Sequence, residues 1–230
     1  MVQSTGMNEQ ERAEEHLKTI RRLMERATIY RAISAPTALV GGLLSLAATA
    51  VYLIWFCNYQ RTEESMQGRN DFLWIWLVVL TLTAATNALF IVVGSKNRGE
   101  PVLSASMKAA FIALAPAMIA GAAFTFFSSG SGADPASDIV MSLSWCIFYG
   151  LGLLATGHFA PRSLTLLGWA FLASGILGMT ALRFGDSYEF SGIDGLRVQT
   201  GAVIMAVTFG CFHLIYAACV WPRKRAAAEV

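Results

Sequence analysis

The chain has 230 residues, of which 55% are hydrophobic and only 14% are charged. Soluble domains of this size carry charge on about a quarter of their residues. The charges are also unevenly distributed along the chain. Of the 17 basic and 15 acidic side chains taken together, 11 lie within the first 31 residues. This composition excludes an ordinary soluble domain and predicts an integral membrane protein embedded in a lipid bilayer.

The first 32 residues form the charged segment, and they carry the pattern of an amphipathic helix. Apolar side chains recur in it at three- and four-residue spacing, at Leu17, Ile20 and Met24. Two functions fit this helix. It lies in the membrane interface with its arginines near lipid phosphates, or residues 8–31 bind a cytoplasmic protein partner. The apolar stripe is short and the polar face carries five acids, so both functions stay open.

Six uncharged apolar runs follow, each long enough to cross a bilayer as a helix. Backbone polar groups in lipid must be satisfied within their own segment, so each run is predicted to be helical. The predicted fold is all-α, a polytopic transmembrane six-helix bundle over residues 33–221 with an N-terminal cytoplasmic amphipathic helix and a basic cytoplasmic tail at residues 222–230. The predicted spans are Ile33–Phe56, Phe72–Val93, Ala109–Ser128, Ile139–Gly157, Ser163–Leu182 and Thr200–Trp221.

Basic residues between the spans predict the orientation of the bundle. The side that holds both termini carries thirteen of the 17 Lys and Arg residues, and the other side carries Arg61, Arg69, Arg183 and Arg197. Because basic loops stay on the cytoplasmic side, both termini are expected in the cytoplasm. The basic residues are explained by topology, so we expect no direct contact with nucleic acid.

Small residues recur at four-residue intervals on nearly every span, for example at Gly41, Ser45 and Thr49 on the first and at Ala84 and Ala88 on the second. Lipid is as apolar as leucine, so membrane helices associate through close backbone approach, which small residues permit. This spacing predicts a tightly packed bundle.

Four residues are expected at one level, about 10 Å inside the cytoplasmic surface at a rise of about 1.5 Å per residue. They are Asn87, Pro116, Tyr149 and His213. Buried polar side chains in lipid must find partners, so some of these groups should meet. The candidate ligand-binding residues are therefore His213, Asn87 and Tyr149, in a polar pocket of the cytoplasmic third. The alternative is structural hydrogen bonding between helices.

Motifs for catalysis, metals and cofactors are absent from the sequence. There is no H-E-x-x-H, no Gly-rich phosphate loop followed by Lys, and no carboxylate within a span for acid–base work. A haem between His158 and His213 fits poorly, because the two residues differ in depth. The sequence therefore predicts a protein that is not an enzyme and that holds no cofactor and no metal.

The sequence also resembles an uncharacterised family of bacterial six-span integral membrane proteins. The residues that carry the resemblance are Met24-Glu25-Arg26-Ala27, the pattern W-x3-Y-G-x-G-x4-G formed by Trp145, Tyr149, Gly150, Gly152 and Gly157, then Phe159, Arg162, Gly168 and Phe171, and finally Gly210 with His213. The resemblance implies a bacterial plasma-membrane protein without an established activity. Because genes of the family sometimes lie beside one for a winged-helix transcription regulator, it also implies a membrane sensor or sequestering partner.

We therefore expect a non-enzymatic regulatory, sensor or scaffold subunit that contacts a cytoplasmic protein. The alternative function is a small-solute transporter or channel that uses His213, Asn87 and Tyr149. Each subunit is too narrow for an obvious pore of its own, so transport would imply a homo-oligomer.

Overall fold

The computed structural model describes eight parts of the chain. These are residues 14–17, 35–59, 71–98, 102, 105–128, 135–157, 160–184 and 200–221.

Every regular element in these parts is helical. The helices are α1 (Ala35–Tyr59), α2 (Asp71–Arg98), α3 (Ala105–Ser128), α4 (Pro135–Ala155), α5 (Arg162–Phe184), α6 (Thr200–Met205) and α7 (His213–Val220), with a π-helical segment at Ala206–Phe212. The segment joins α6 to α7 without a break, and the three together form one sixth span. The predicted all-α class is thus confirmed for the described residues.

Within the described residues, six helices are long and apolar enough to cross a membrane, as the uncharged runs predicted, and they are compatible with an integral membrane protein. Their bounds differ from the predicted spans by a few residues. The largest differences arise because α2 continues through Lys96 and α3 begins before Lys108. A charged residue ends an apolar run but does not end the backbone hydrogen bonding of the helix, so the helices extend beyond the uncharged stretches.

A short turn makes α4 and α5 an antiparallel pair. The α4 backbone closes with hydrogen bonds from the Thr156 and Gly157 amides to the Leu153 and Leu154 carbonyls. Helix α5 begins after Pro161, whose carbonyl accepts from the first turn of that helix. Proline suits this place because it has no N–H to leave unsatisfied.

Glycines bring α4 and α5 into backbone contact. A Cβ added at Gly150 would lie 2.8 Å from the Gly168 carbonyl oxygen, and one added at Gly175 would lie 2.8 Å from the Leu143 carbonyl oxygen. No larger residue fits at these two crossings without separating the helices. The prediction that small residues permit close helix approach holds for this pair.

The sixth span lies between α1 and α4, and the outer helices attach to these two. Helix α2 packs mainly on α1, whereas α3 packs on α4. The contact of α2 uses Thr83, whose methyl group would lie 3.1 Å from a Cβ at Gly41. Ala84 and Ala88 are exposed. Their spacing suggested a packing face, but the face of α2 that meets α1 is the one bearing Thr83.

Two clusters of buried apolar side chains form the core. One joins α1, α4, α5 and α7 and contains Ala38, Cys146, Leu153, Leu164, Leu167, Phe171, Tyr216 and Ala217. The other lies at the end where α2 and α6 begin and contains Tyr52, Phe72, Trp76, Met141, Ala202 and Met205.

The predicted N-terminal amphipathic helix and the basic tail lie mostly outside the described residues. Residues 14–17 are helical and exposed, with the Leu17 side chain 65% exposed. The rest of residues 1–32 and all of the tail at 222–230 lie outside the described part of the chain, as does His158.

Candidate functional site

A partly buried polar contact joins α4 to the start of α7. The hydroxyl oxygen of Tyr149 lies 2.9 Å from Nε2 of His213. The other ring nitrogen of His213, Nδ1, lies 2.9 Å from the carbonyl oxygen of Phe209, four residues earlier on the same span. Two of the three residues predicted to bind a ligand are therefore direct neighbours, and each side chain is partly buried.

The hydrogen-bond partners fix the roles of the two ring nitrogens. In a neutral imidazole one nitrogen donates and the other accepts. The Phe209 carbonyl can only accept, so Nδ1 carries the proton and Nε2 accepts from the Tyr149 hydroxyl. The Tyr149 hydroxyl thus donates to His213, and His213 donates to the backbone of its own span.

The backbone at His213 departs from the α-helical hydrogen-bond pattern. In an α-helix the amide of residue 213 would bond to the carbonyl of residue 209. Here the His213 amide donates to the Gly210 carbonyl, and the imidazole of His213 takes the place at Phe209. Single π turns inside α-helices are rare and occur frequently at functional sites.

Aromatic rings surround the Tyr149–His213 contact. Phe171 of α5 is 0% exposed, and its ring centroid lies 4.8 Å from that of Tyr149 and 5.4 Å from that of His213. The ring centroid of Phe209 lies 5.2 Å from that of Tyr149, and the ring centroid of Phe212 lies 5.5 Å from that of Phe171. Most of these pairs are edge-to-face or tilted, the arrangements that aromatic quadrupoles favour. The rings fix both polar side chains in position.

A second contact of the same kind lies one turn away on α4. The Cys146 thiol donates to the Thr208 hydroxyl oxygen at 3.4 Å, and the Thr208 hydroxyl donates to the Ile204 carbonyl at 2.7 Å. Cys146 and Thr208 are both buried. Cys146 and Tyr149 are three residues apart and share one face of α4. Both therefore reach side chains that bond to carbonyls four residues earlier in the sixth span.

Helix α1 closes the other side of the π-helical segment. A Cβ at Gly42 would lie 3.0 Å from the Gly210 carbonyl oxygen and 2.9 Å from the Leu214 side chain. A Cβ at Gly210 would lie 2.7 Å from the Leu46 side chain. The segment is therefore held between α1 on one side and α4 on the other.

Asn87 is bonded elsewhere than to the other two predicted site residues. Its side-chain carbonyl accepts from the Thr37 hydroxyl of α1 at 3.3 Å. Pro116, expected at the same level, lies inside α3 and is exposed. Helix α2 packs on α1, and Pro116 lies on an exposed face of α3, so a shared depth does not bring Asn87 or Pro116 to Tyr149 and His213.

Other hydrogen bonds between helices lie away from this level. Thr49 of α1 donates to the Ala202 carbonyl at 3.4 Å, and Ser142 of α4 donates to the Gly201 carbonyl at 3.2 Å. The Trp145 indole donates to the Thr125 hydroxyl of α3 at 2.8 Å. Such bonds average about 0.6 kcal/mol in membrane bundles, so they support packing between helices.

The described residues contain no group of three or more His, Cys, Asp or Glu side chains that could hold a metal ion. Comparison with protein-family models, curated proteins and solved structures finds no match to this chain. The candidate site is therefore defined by its own geometry.

Sequence reasoning missed the π-helical segment and the Cys146–Thr208 contact. Gly210 with His213 marked the right region of the sixth span, but no residue pattern distinguishes a π turn from an α turn. Cysteine and threonine are common within membrane helices, and only the packing of α4 against the π-helical segment reveals that these two meet.

Proposed function

We propose that the chain is a non-enzymatic regulatory, sensor or scaffold subunit of a bacterial plasma membrane, with both termini in the cytoplasm. The six apolar helices support the membrane part of this proposal. The thirteen Lys and Arg residues on the side of the termini support the orientation. The cytoplasmic contact is assigned to residues 8–31 and the basic tail at 222–230.

The observation that carries the proposal is the closed hydrogen bonding at Tyr149 and His213. The Tyr149 hydroxyl forms a hydrogen bond with His213, and the two ring nitrogens of His213 bond to Tyr149 and to the Phe209 carbonyl. A transport site must offer donors and acceptors to a solute. Polar groups that bond to one another across two helices instead fix the relative position of those helices, as a sensor or scaffold requires.

Deletion of residues 1–33 tests the cytoplasmic contact. The full chain and the deleted chain are expressed in the same membranes, crosslinked and purified, and the retained proteins are identified. A charge-preserving variant, Leu17→Ser with Ile20→Ser and Met24→Ser, removes the apolar stripe, and Glu14→Gln serves as the matched control on the polar face. We expect the deletion and the stripe variant to lose a protein that the full chain and the control retain. An unchanged set of cytoplasmic proteins in all four samples would contradict the proposal.

The alternative function, transport of a small solute through a homo-oligomer, is supported by one observation. Asn87, Tyr149 and His213 are only partly buried. Purified protein in liposomes with a trapped pH-sensitive dye would report proton-coupled flux. A flux that His213→Ala abolishes while the protein stays folded would favour the transporter over the sensor.

A further inference from the structure

The two contacts from α4 end just before and within the π-helical segment of the sixth span. Cys146 acts through Thr208 on the Ile204 carbonyl, which precedes the π-helical segment. Tyr149 acts through His213 on the Phe209 carbonyl, which lies within it. Side chains that contact α4 thus donate hydrogen bonds to backbone carbonyls at the place where the span changes from α-helical to π-helical hydrogen bonding. We call these two patterns the α register and the π register.

A π-helical turn accommodates one more residue than the α-helical turn it replaces, because its hydrogen bonds span five residues in place of four. If the segment became α-helical while α6 stayed fixed, every residue after it would move into the place of the residue that follows it. Helix α7 would then turn by about 100° and shift by about 1.5 Å.

The α register has a specific cost at Tyr149. Phe212 would occupy the place of His213, so the Tyr149 hydroxyl would face a ring without an acceptor nitrogen. A buried hydroxyl without a partner is costly, and the π register is favoured for that reason. Further along, Ile215, which is 59% exposed, would move into the place of buried Tyr216, and Ala217, which is 1% exposed, would move to the exposed place of Ala218.

We infer that the sixth span is a two-register element, and that the Tyr149–His213 and Cys146–Thr208 contacts hold it in the π register. Breaking them populates an α register in which α7 has turned by one residue. The inference rests on the proposed sensor function for its biological role, because the turn of α7 changes what the tail presents to a cytoplasmic partner. The register itself is a property of the bundle and is measured without any partner.

Thiol labelling reads the register directly. In full-length protein with Cys57→Ser, Cys211→Ser and Cys219→Ser, Ala217→Cys introduces one thiol in addition to the native Cys146, and peptide mass mapping separates labelling at the two positions. Labelling of the introduced thiol by N-ethylmaleimide reports the α register, in which position 217 is exposed. A parallel thiol from Ala202→Cys, in α6 before the segment and 0% exposed, reports general loosening of the bundle.

Tyr149→Phe removes only the hydroxyl and leaves the ring among its aromatic neighbours. We expect labelling at position 217 to accelerate by roughly two- to tenfold, the population change that one hydrogen bond gives, while labelling at position 202 stays unchanged. Thr180→Val is the matched control, because its exposed hydroxyl bonds only to the Ile176 carbonyl of its own helix. It should alter neither rate.

Deletion of residue 211 provides a second, independent variant. Position 211 is exposed within the π-helical segment, and its removal makes the span continuously α-helical while the following residues keep their places. We expect this protein to label slowly at position 217 and to lose its response to Tyr149→Phe.

The outcomes separate the register from the function. Equal acceleration at positions 202 and 217 in Tyr149→Phe, or no acceleration at either, would overturn the two-register inference. If Tyr149→Phe does not fold, Cys146→Ala is measured in the same way and must accelerate labelling at position 217 alone. A register change without any change in retained cytoplasmic proteins would contradict the proposed function and leave the two-register element intact.

Discussion

Gly150 is the position at which the packing of α4 on α5 is most directly testable. In Gly150→Ala the new Cβ would lie 2.7 Å from the Leu172 backbone nitrogen, 2.8 Å from the Gly168 carbonyl oxygen and 3.1 Å from the Leu172 Cα. All three atoms belong to the backbone of α5, so no side-chain rotation relieves the contact. Alanine gains about 1 kcal/mol over glycine in a helix interior, whereas overpacking of a dense core costs about 1–3 kcal/mol or more. Because these contacts are with rigid backbone, we apply the upper end of that cost and expect a net loss of about 2 kcal/mol in the free energy of unfolding.

Gly152→Ala is the matched control, two residues along the same helix. Its Cβ would meet the terminal Cδ1 of Leu114 on α3 at 2.7 Å, and that flexible side chain can rotate away. The gain in helix propensity then offsets most of the cost, and we expect stability within about 1 kcal/mol of the wild type. Reversible unfolding in mixed micelles titrated with sodium dodecyl sulfate measures both variants. Equal stability of the two variants would refute the claim that backbone contact at Gly150 holds α4 against α5.

Three further predictions follow from single contacts. His213→Ala should lower the free energy of unfolding by about 1–3 kcal/mol in the same titration, because a phenolic hydroxyl is left buried without its acceptor; a value equal to that of Thr180→Val would contradict the reasoning. Trp145→Phe and Thr125→Val should show a coupling of about 0.6 kcal/mol in a double-mutant cycle, and strictly additive effects would mean that their hydrogen bond contributes nothing. Cys146, which is 0% exposed, should react with N-ethylmaleimide far more slowly than exposed Cys219 at the end of the sixth span, and equal rates in the folded protein would contradict its burial.

The six helices could be predicted because an uncharged run long enough to cross a bilayer must satisfy its backbone hydrogen bonds internally, and an α-helix does so. Their ends could be predicted only approximately, because residues such as Lys96 and Lys108 continue a helix that composition alone would end. The four-residue spacing of small residues did not mark the crossings of α4 and α5, which lie at Gly150, Gly168 and Gly175. It was misleading at Ala84 and Ala88, because the spacing does not say which face of a helix meets a neighbour.

The candidate site shows the same division. Counting residues along each span estimates depth, and it brought Tyr149 and His213 to one level. Asn87 shares that level but bonds to Thr37, because α2 packs on α1, and neighbour relations between helices do not follow from depth. The π-helical segment was unpredictable for a different reason. It depends on a balance between backbone and side-chain hydrogen bonds, and that balance is set by contacts with α4 and α1.

The protonation pattern of the His213 ring tests the central claim most directly. Nitrogen-15 NMR of histidine-labelled protein in lipid bilayers distinguishes a protonated ring nitrogen from an accepting one, and His213→Gln assigns the signal. We predict a neutral ring with the proton on Nδ1, bonded to the Phe209 carbonyl, and an Nε2 signal that shifts towards the free acceptor value in Tyr149→Phe. A ring protonated on Nε2, or an Nε2 signal unchanged by Tyr149→Phe, would contradict the hydrogen-bonded contact between α4 and the sixth span.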